Sequence, residues 1–275
     1  MKDTRIAFIG AGNMAASLVG GLIADGWNSD AISVADPQAE QTQRLRARYP
    51  VHTSTDNKKV VDGSDVVVLA VKPQAMKAVA IELSDSVQYR KPLILSIAAG
   101  IKIEDLQRWL GGKCPLVRCM PNTPALVQSG ATALIANSAV SDIQKSLAEN
   151  ILRAVGLTLW IDDENLMDAV TAISGSGPAY FFLIIEALQT AGEHLGLPAE
   201  TARLLSIQTA FGAAKMTLES TDDAAVLGKH VASPGGTTEA ALRVLEDGQI
   251  RALFEAAVTA ARDRSRQLSE QFGDE

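Results

Sequence analysis

A chain of 275 residues exceeds one ordinary domain and is read as two. Its 47% hydrophobic and 21% charged residues supply a substantial core beneath an ordinary soluble surface. A net charge of −7 and only 4% aromatic residues argue against a general polyanion-binding surface and against stacking platforms for single strands, so no nucleic-acid partner is expected.

Residues 5–9 form an apolar run rich in β-formers and read as a buried strand, and residues 13–25 read as the helix that follows. Between them stands Gly10-Ala11-Gly12-Asn13-Met14-Ala15. Glycine at 10 permits a tight turn, and glycine at 12 lets a pyrophosphate approach the backbone. The free N–H groups and positive dipole end of the helix then bind phosphate charge. A lone G-x-G-x-x-A is a weak signal, and a glycine turn that only packs strand on helix is the plainer alternative. Here the turn has its strand, its helix and an acidic residue, Asp36, at the end of the next strand (32–35). The reading is a dinucleotide site.

Apolar strands follow at 66–70 and 93–97, without the alternation of a one-sided sheet, as in a parallel sheet covered on both faces. Helical stretches are read at 38–48, 75–83, 103–110 and 141–154, and further strands at 117–120, 132–136 and 157–161. This alternation makes residues 1–161 an α/β, Rossmann-like doubly wound sheet. Cys114 and Cys119 lack a common zinc spacing, and His52, His194 and His230 are scattered. Buried thiols in a reducing compartment are therefore expected, and no metal site.

After residue 162 the strand signal stops, and helices are read at 179–195, 199–218, 223–229, 237–245 and 250–268. Residues 162–275 are thus an all-α domain. The helix at 179–195 is apolar nearly all round over Tyr180-Phe181-Phe182-Leu183-Ile184-Ile185. A helix with no polar face needs burial on every side, and a small helical domain completes that by packing against a second subunit. The apolar run 179–185 is too short to span a bilayer, and the first strand already begins at residue 5, so neither a membrane segment nor a leader is expected. The expected setting is the cytoplasm.

Two more glycine-rich motifs open helices in this half: Ser174-Gly175-Ser176-Gly177-Pro178-Ala179-Tyr180 and Ser233-Pro234-Gly235-Gly236-Thr237-Thr238. The unpaired N–H groups of the second suit a carboxylate, although either motif could be ordinary helix-start chemistry. Together with FIGAGNMA, AVKP (70–73), SIAAG (96–100) and RCMPNTPA (118–125), they give the chain an ordered set of motifs over nearly its whole length. In that set it resembles the pyrroline-5-carboxylate reductases.

The resemblance implies reduction of the cyclic imine L-1-pyrroline-5-carboxylate to L-proline by hydride from NAD(P)H. A protonated imine is already electrophilic, so such an enzyme needs positioning more than a metal, a nucleophile or a strong base. The resemblance implies that Gly236, Thr237 and Thr238 take the substrate carboxylate through their amides, that the Thr238 hydroxyl bonds the ring nitrogen, and that Glu164, His230, Ser233 and Gly235 complete the proline side. On the cofactor side it implies Gly10, Gly12, Asn13, Met14, Ala15, Asn57, Val71, Lys72, Pro73 and Ala98, with Met120, Pro121 and Asn122 beneath the nicotinamide. Similar enzymes build homodimers through the helical domain and often ring them into decamers. Asp36 complicates the cofactor. A carboxylate there favours the 2′-hydroxyl of NAD(H) and repels the 2′-phosphate of NADP(H), which family members often use, so both cofactors stay open. A β-hydroxyacid dehydrogenase of the 3-hydroxyisobutyrate type is the rival enzyme, but it needs a lysine on the helix after a glycine-rich turn. The sequence from Pro178 to Ile185 contains none. A cofactor-binding regulatory protein without turnover is the other rival, and it would have been favoured by loss of Thr238 or of the glycines.

Overall fold

The computed structural model describes residues 2–274, in two compact units. The first runs to Ser176 and regains the chain from Ala261; the second is Gly177–Ala260.

In the first unit an eight-stranded sheet is built from β1 (Ile6–Ile9), β2 (Ile32–Ala35), β3 (His52–Ser54), β4 (Val66–Leu69), β5 (Leu93–Ser96), β6 (Leu116–Met120), β7 (Gly130–Ala136) and β8 (Gly156–Trp160). Its spatial order is β3-β2-β1-β4-β5-β6-β7-β8. Strands β1 to β6 are parallel, β7 runs antiparallel to β6, and β8 is parallel to β7. The order reverses at β1, which lies between β2 and β4 and so marks the crevice where doubly wound sheets bind ligands. Period-two side chains explain why these strands read as unbroken apolar runs. Ile6 and Phe8 enter the core on one face while Ala7 and Ile9 enter the core on the other.

The helices of this unit are α1 (Asn13–Ala24), α2 (Ala39–Arg48), α3 (Asn57–Val61), α4 (Pro73–Arg90), α5 (Ile103–Trp109), α6 (Asp142–Arg153) and the short α7 (Met167–Val170). Ser141 opens α6 with a reciprocal capping box to Gln144. Helix α4 extends well beyond the expected 75–83. Pro73 starts it two residues early, and it closes on Lys91 in the left-handed conformation. Strand β3 and helix α3 have no counterpart in the sequence reading, being too short and too polar for a periodic signal.

In the second unit α8 (Gly177–His194) and α9 (Ala199–Glu219) form a hairpin around Gly196 and Pro198, followed by α10 (Ala224–Val231), α11 (Thr237–Asp247) and the first half of α12 (Ile250–Asp274). The expected division at residue 161 differs from this one for a packing reason. Residues 164–176 stay with the sheet through Met167, which joins its buried core, and Val170, and Phe272 near the end of α12 packs on the same core. The apolar segment is also longer than it read. Residues Glu164–His194 form one continuous helical run that is long and apolar enough to cross a bilayer, because the stretch from Met167 joins α8 through a π-helical turn at Thr171–Gly175. Phe181, Phe182 and Leu183 are 62%, 65% and 66% exposed, an apolar face that needs a partner.

Candidate active site

Six parallel strands deliver the expected cofactor residues to one edge of the sheet. Gly10–Ala15 follow β1, Asp36 follows β2, Asn57 follows β3, Val71–Pro73 follow β4, Ala98 follows β5, and Pro121 and Asn122 follow β6. All lie past the carboxyl ends of their strands, the side where this architecture places its ligands.

The turn after β1 is shaped for close approach. Gly10 has φ +102°, and a Cβ there would lie 2.6 Å from the carbonyl oxygen of Ala70. Gly12 is the opposite case, since a Cβ would meet no heavy atom within 4 Å. The helix it opens, α1, has no side chain capping its start and no acidic residue in its first turn. Uncapped N–H groups at a helix start, facing open space with no acidic residue in the helix's own first turn, fit a pyrophosphate.

Asp36 is tied into this turn. One carboxylate oxygen accepts from the Ala11 N–H at 2.9 Å and the other from the Gln38 N–H at 2.9 Å. The side chain therefore joins the glycine turn to the loop after β2, and it does more than cap the entry to Pro37. Lys72 stands exposed as the residue before α4, and Ala98 is buried. Asn57, at the start of α3, donates to Glu82 at 3.3 Å while its Oδ1 is buried without a partner.

Beneath the crevice Asn122 makes two bonds. Its Nδ2 donates to the Ser174 carbonyl at 3.1 Å and its Oδ1 accepts from the Ala131 N–H at 2.9 Å. Gly175 lies beside this contact, where a Cβ would come 2.6 Å from the flexible end of the Met120 side chain and push it aside. The start of the first glycine motif of the helical half, Ser174 and Gly175, thus packs against the RCMPNTPA segment within the first unit. The hydroxyls of Ser96, at the end of β5, and Ser174, in the π-helical turn, are buried without partners. Both open motifs read in the sequence, SIAAG and Ser174–Tyr180, but neither is among the expected site residues.

Glu164 belongs to this unit too. Its Oε1 accepts from Arg118 at 2.7 Å and from the Ile103 N–H at 2.9 Å.

The other expected substrate residues lie in the second unit. Ser233, Gly235, Gly236, Thr237 and Thr238 share the turn into α11, and His230 is exposed in the last turn of α10. Gly236 is the residue before α11 and offers no side-chain cap. The Gly236 N–H closes on the Ser233 carbonyl at 2.9 Å, while the Gly235 N–H is already held by Glu239 at 2.7 Å. Any carboxylate bound here has the Thr237 and Thr238 end of the turn to use, with Glu239 as its charged neighbour.

Residues 5–100 match the family described as NADP oxidoreductase, coenzyme F420-dependent, and residues 164–268 match pyrroline-5-carboxylate reductase dimerisation. A pyrroline-5-carboxylate reductase of Pseudomonas aeruginosa is 52% identical over 99% of this chain and 100% of its own. The solved structure of a pyrroline-5-carboxylate reductase from Coxiella burnetii superposes with a TM-score of 0.92 at 48% identity, covering 96% of this chain and 98% of that one. The Plasmodium falciparum pyrroline carboxylate reductase, solved with NADP bound, gives 0.87 at 30% identity over 98% and 99% of the two chains. Coverage from end to end at these identities means that the chain belongs to the pyrroline-5-carboxylate reductase family.

Proposed function

We propose that this chain is an NAD(P)H-dependent imine reductase that converts L-1-pyrroline-5-carboxylate to L-proline, the last step of proline biosynthesis. The observation that carries the reading is the full-length likeness to a reductase of that name at 52% identity. The open, uncapped start of α1 supports the dinucleotide that the reaction requires.

When bound, the reduced nicotinamide supplies the hydride that the imine carbon accepts. The work of the protein is positional. The backbone from Gly12 to Ala15 receives the pyrophosphate, Asp36 and Asn57 serve the adenosine half, and Val71, Lys72, Pro73 and Ala98 line the path to the nicotinamide. Met120, Pro121 and Asn122 form its floor. The amides of Thr237 and Thr238, at the open end of the turn, take the substrate carboxylate, with Ser233, Gly235, Gly236 and His230 around it. The Thr238 hydroxyl oxygen accepts from the protonated ring nitrogen, which holds the substrate in its electrophilic form. Two buried, unpaired thiols, Cys114 pushed up to about 11 by burial and Cys119 pushed higher by the same cause, suit a reducing, cytoplasmic setting.

The reading is tested by steady-state rates with pyrroline-5-carboxylate against NADH and NADPH in parallel, and the same assay reads Asp36→Ser. Removing a carboxylate that faces the ribose is expected to raise the ratio of kcat/KM for NADPH over NADH by about tenfold or more, roughly 1.4 kcal/mol of relieved repulsion. Both absolute values should fall, because serine cannot bridge Ala11 and Gln38 as the carboxylate does. Equal losses with an unchanged ratio would confine Asp36 to holding the turn.

The exposed face of Phe181, Phe182 and Leu183 is covered, on this reading, by a second copy of the chain, with decamers as the larger assembly. Sedimentation should give a species of at least two subunits of 29.0 kDa each. A stable, active monomer would contradict it.

A further inference from the structure

Arg118 is the one charged residue within β6, and its side chain is 4% exposed. It needs a partner, because a guanidinium cannot shed its proton and an unpaired buried charge costs several kcal/mol. Glu164 is that partner, with Oε1 at 2.7 Å from Arg118 Nη1. The same oxygen accepts from the N–H of Ile103, the first residue of α5, whose start has no side-chain cap from Lys102. One carboxylate therefore fastens two segments. The first is the loop from Ile97 to Lys102, which carries Ala98 and feeds directly into α5. The second is the end of β6, where Met120 lies on the same face as Arg118, two residues on, and leads into Pro121 and Asn122. Asn122 then fastens the second segment again, to the carbonyl of Ser174.

We propose that Glu164 is a positioning residue for the cofactor: its carboxylate Oε1 sets the spacing between the loop after β5 and the end of β6. This rests on the reading of that edge as the nicotinamide site. The pairing of β5 with β6 ends at Ser96 and Arg118, and the loop beyond it is held to β4 by the Ile97 N–H on the Leu69 carbonyl. The helix-start bond and the ion pair share one oxygen, so the two segments cannot shift independently while it is in place.

The test compares E164A, E164Q, R118M and the double variant R118M/E164L, with thermal unfolding, NADH and NADPH affinity by fluorescence titration, and kcat and KM as readouts. Both R118M and E164A should lower Tm, since each strands one partner. The double apolar variant, which removes both charges, should regain much of that loss. If Glu164 positions the cofactor segments, R118M/E164L still binds dinucleotide at least tenfold more weakly than the parent despite its recovered Tm, and kcat stays reduced. E164Q, which keeps an acceptor for both donors, should lie within about threefold of the parent. Recovery of cofactor affinity together with Tm in the double variant would make the pair purely structural and overturn the proposal. Should the double variant fail to fold, E164A decides: parental affinity in folded E164A overturns the proposal, and a tenfold loss rescued in E164Q supports it. Dinucleotide binding is measured without substrate, so a parent that binds cofactor but fails to reduce pyrroline-5-carboxylate would indict the assigned reaction and leave this test standing.

Discussion

Replacing Gly12 with valine is expected to abolish dinucleotide binding while leaving the protein folded. At most positions in a tight turn these two effects cannot be separated. Here they can, because Gly12 has φ −72° and a Cβ would meet nothing within 4 Å. Its extended backbone suits a β-branched residue, and the loss of glycine at a helix start costs at most about 1 kcal/mol. The open space is the space a pyrophosphate needs, and a branched side chain fills it. Tm should move by a few degrees at most, while the dissociation constants for NADH and NADPH rise about a hundredfold or more. Gly10→Ala makes the instructive contrast. Its Cβ would collide with the Ala70 carbonyl, so that variant should lose stability as well as binding. A Gly12→Val protein with parental cofactor affinity would remove the start of α1 from the site.

Thr238→Ala is the second large effect expected. Thr238 lies in the first turn of α11, half-buried, and its hydroxyl makes no contribution to capping, since the residue before the helix is Gly236. Folding should survive, as the turn is set by Gly235 at φ +73° and by the Ser233–Gly236 backbone bond. Loss of a hydrogen bond to a charged group costs roughly 1.5–3 kcal/mol, or about ten- to a hundredfold in kcat/KM. The fall should appear with pyrroline-5-carboxylate as the varied substrate and be nearly absent from cofactor affinity. Parental kcat/KM in a folded Thr238→Ala protein would take the hydroxyl out of the reaction.

Much of the first unit is legible in the sequence for a physical reason: buried parallel strands must be apolar on both faces, and β1, β4 and β5 announce themselves that way. The glycine turn after β1 was legible because its geometry is local, with glycines, strand, helix and Asp36 falling within one βαβ unit. What the sequence hid depends on contacts far apart in the chain. Nothing local says that Arg118 pairs with Glu164, 46 residues away, or that Asn122 holds the carbonyl of Ser174, 52 residues away. Nor does periodicity show that Phe272 returns to the core of the sheet. Asp36 is intermediate. Its place after β2 could be read, but its two bonds to backbone N–H groups emerge only when the loop is built.

The most direct measurement of the central claim follows the transferred hydrogen. NADH or NADPH deuterated at the reactive C4 position is incubated with the enzyme and L-1-pyrroline-5-carboxylate, and the product is analysed by mass spectrometry and NMR. The account predicts L-proline carrying one deuterium, located at C5, formed in step with cofactor oxidation. Cofactor oxidation without labelled proline, or no turnover by a protein that binds the dinucleotide, would contradict it.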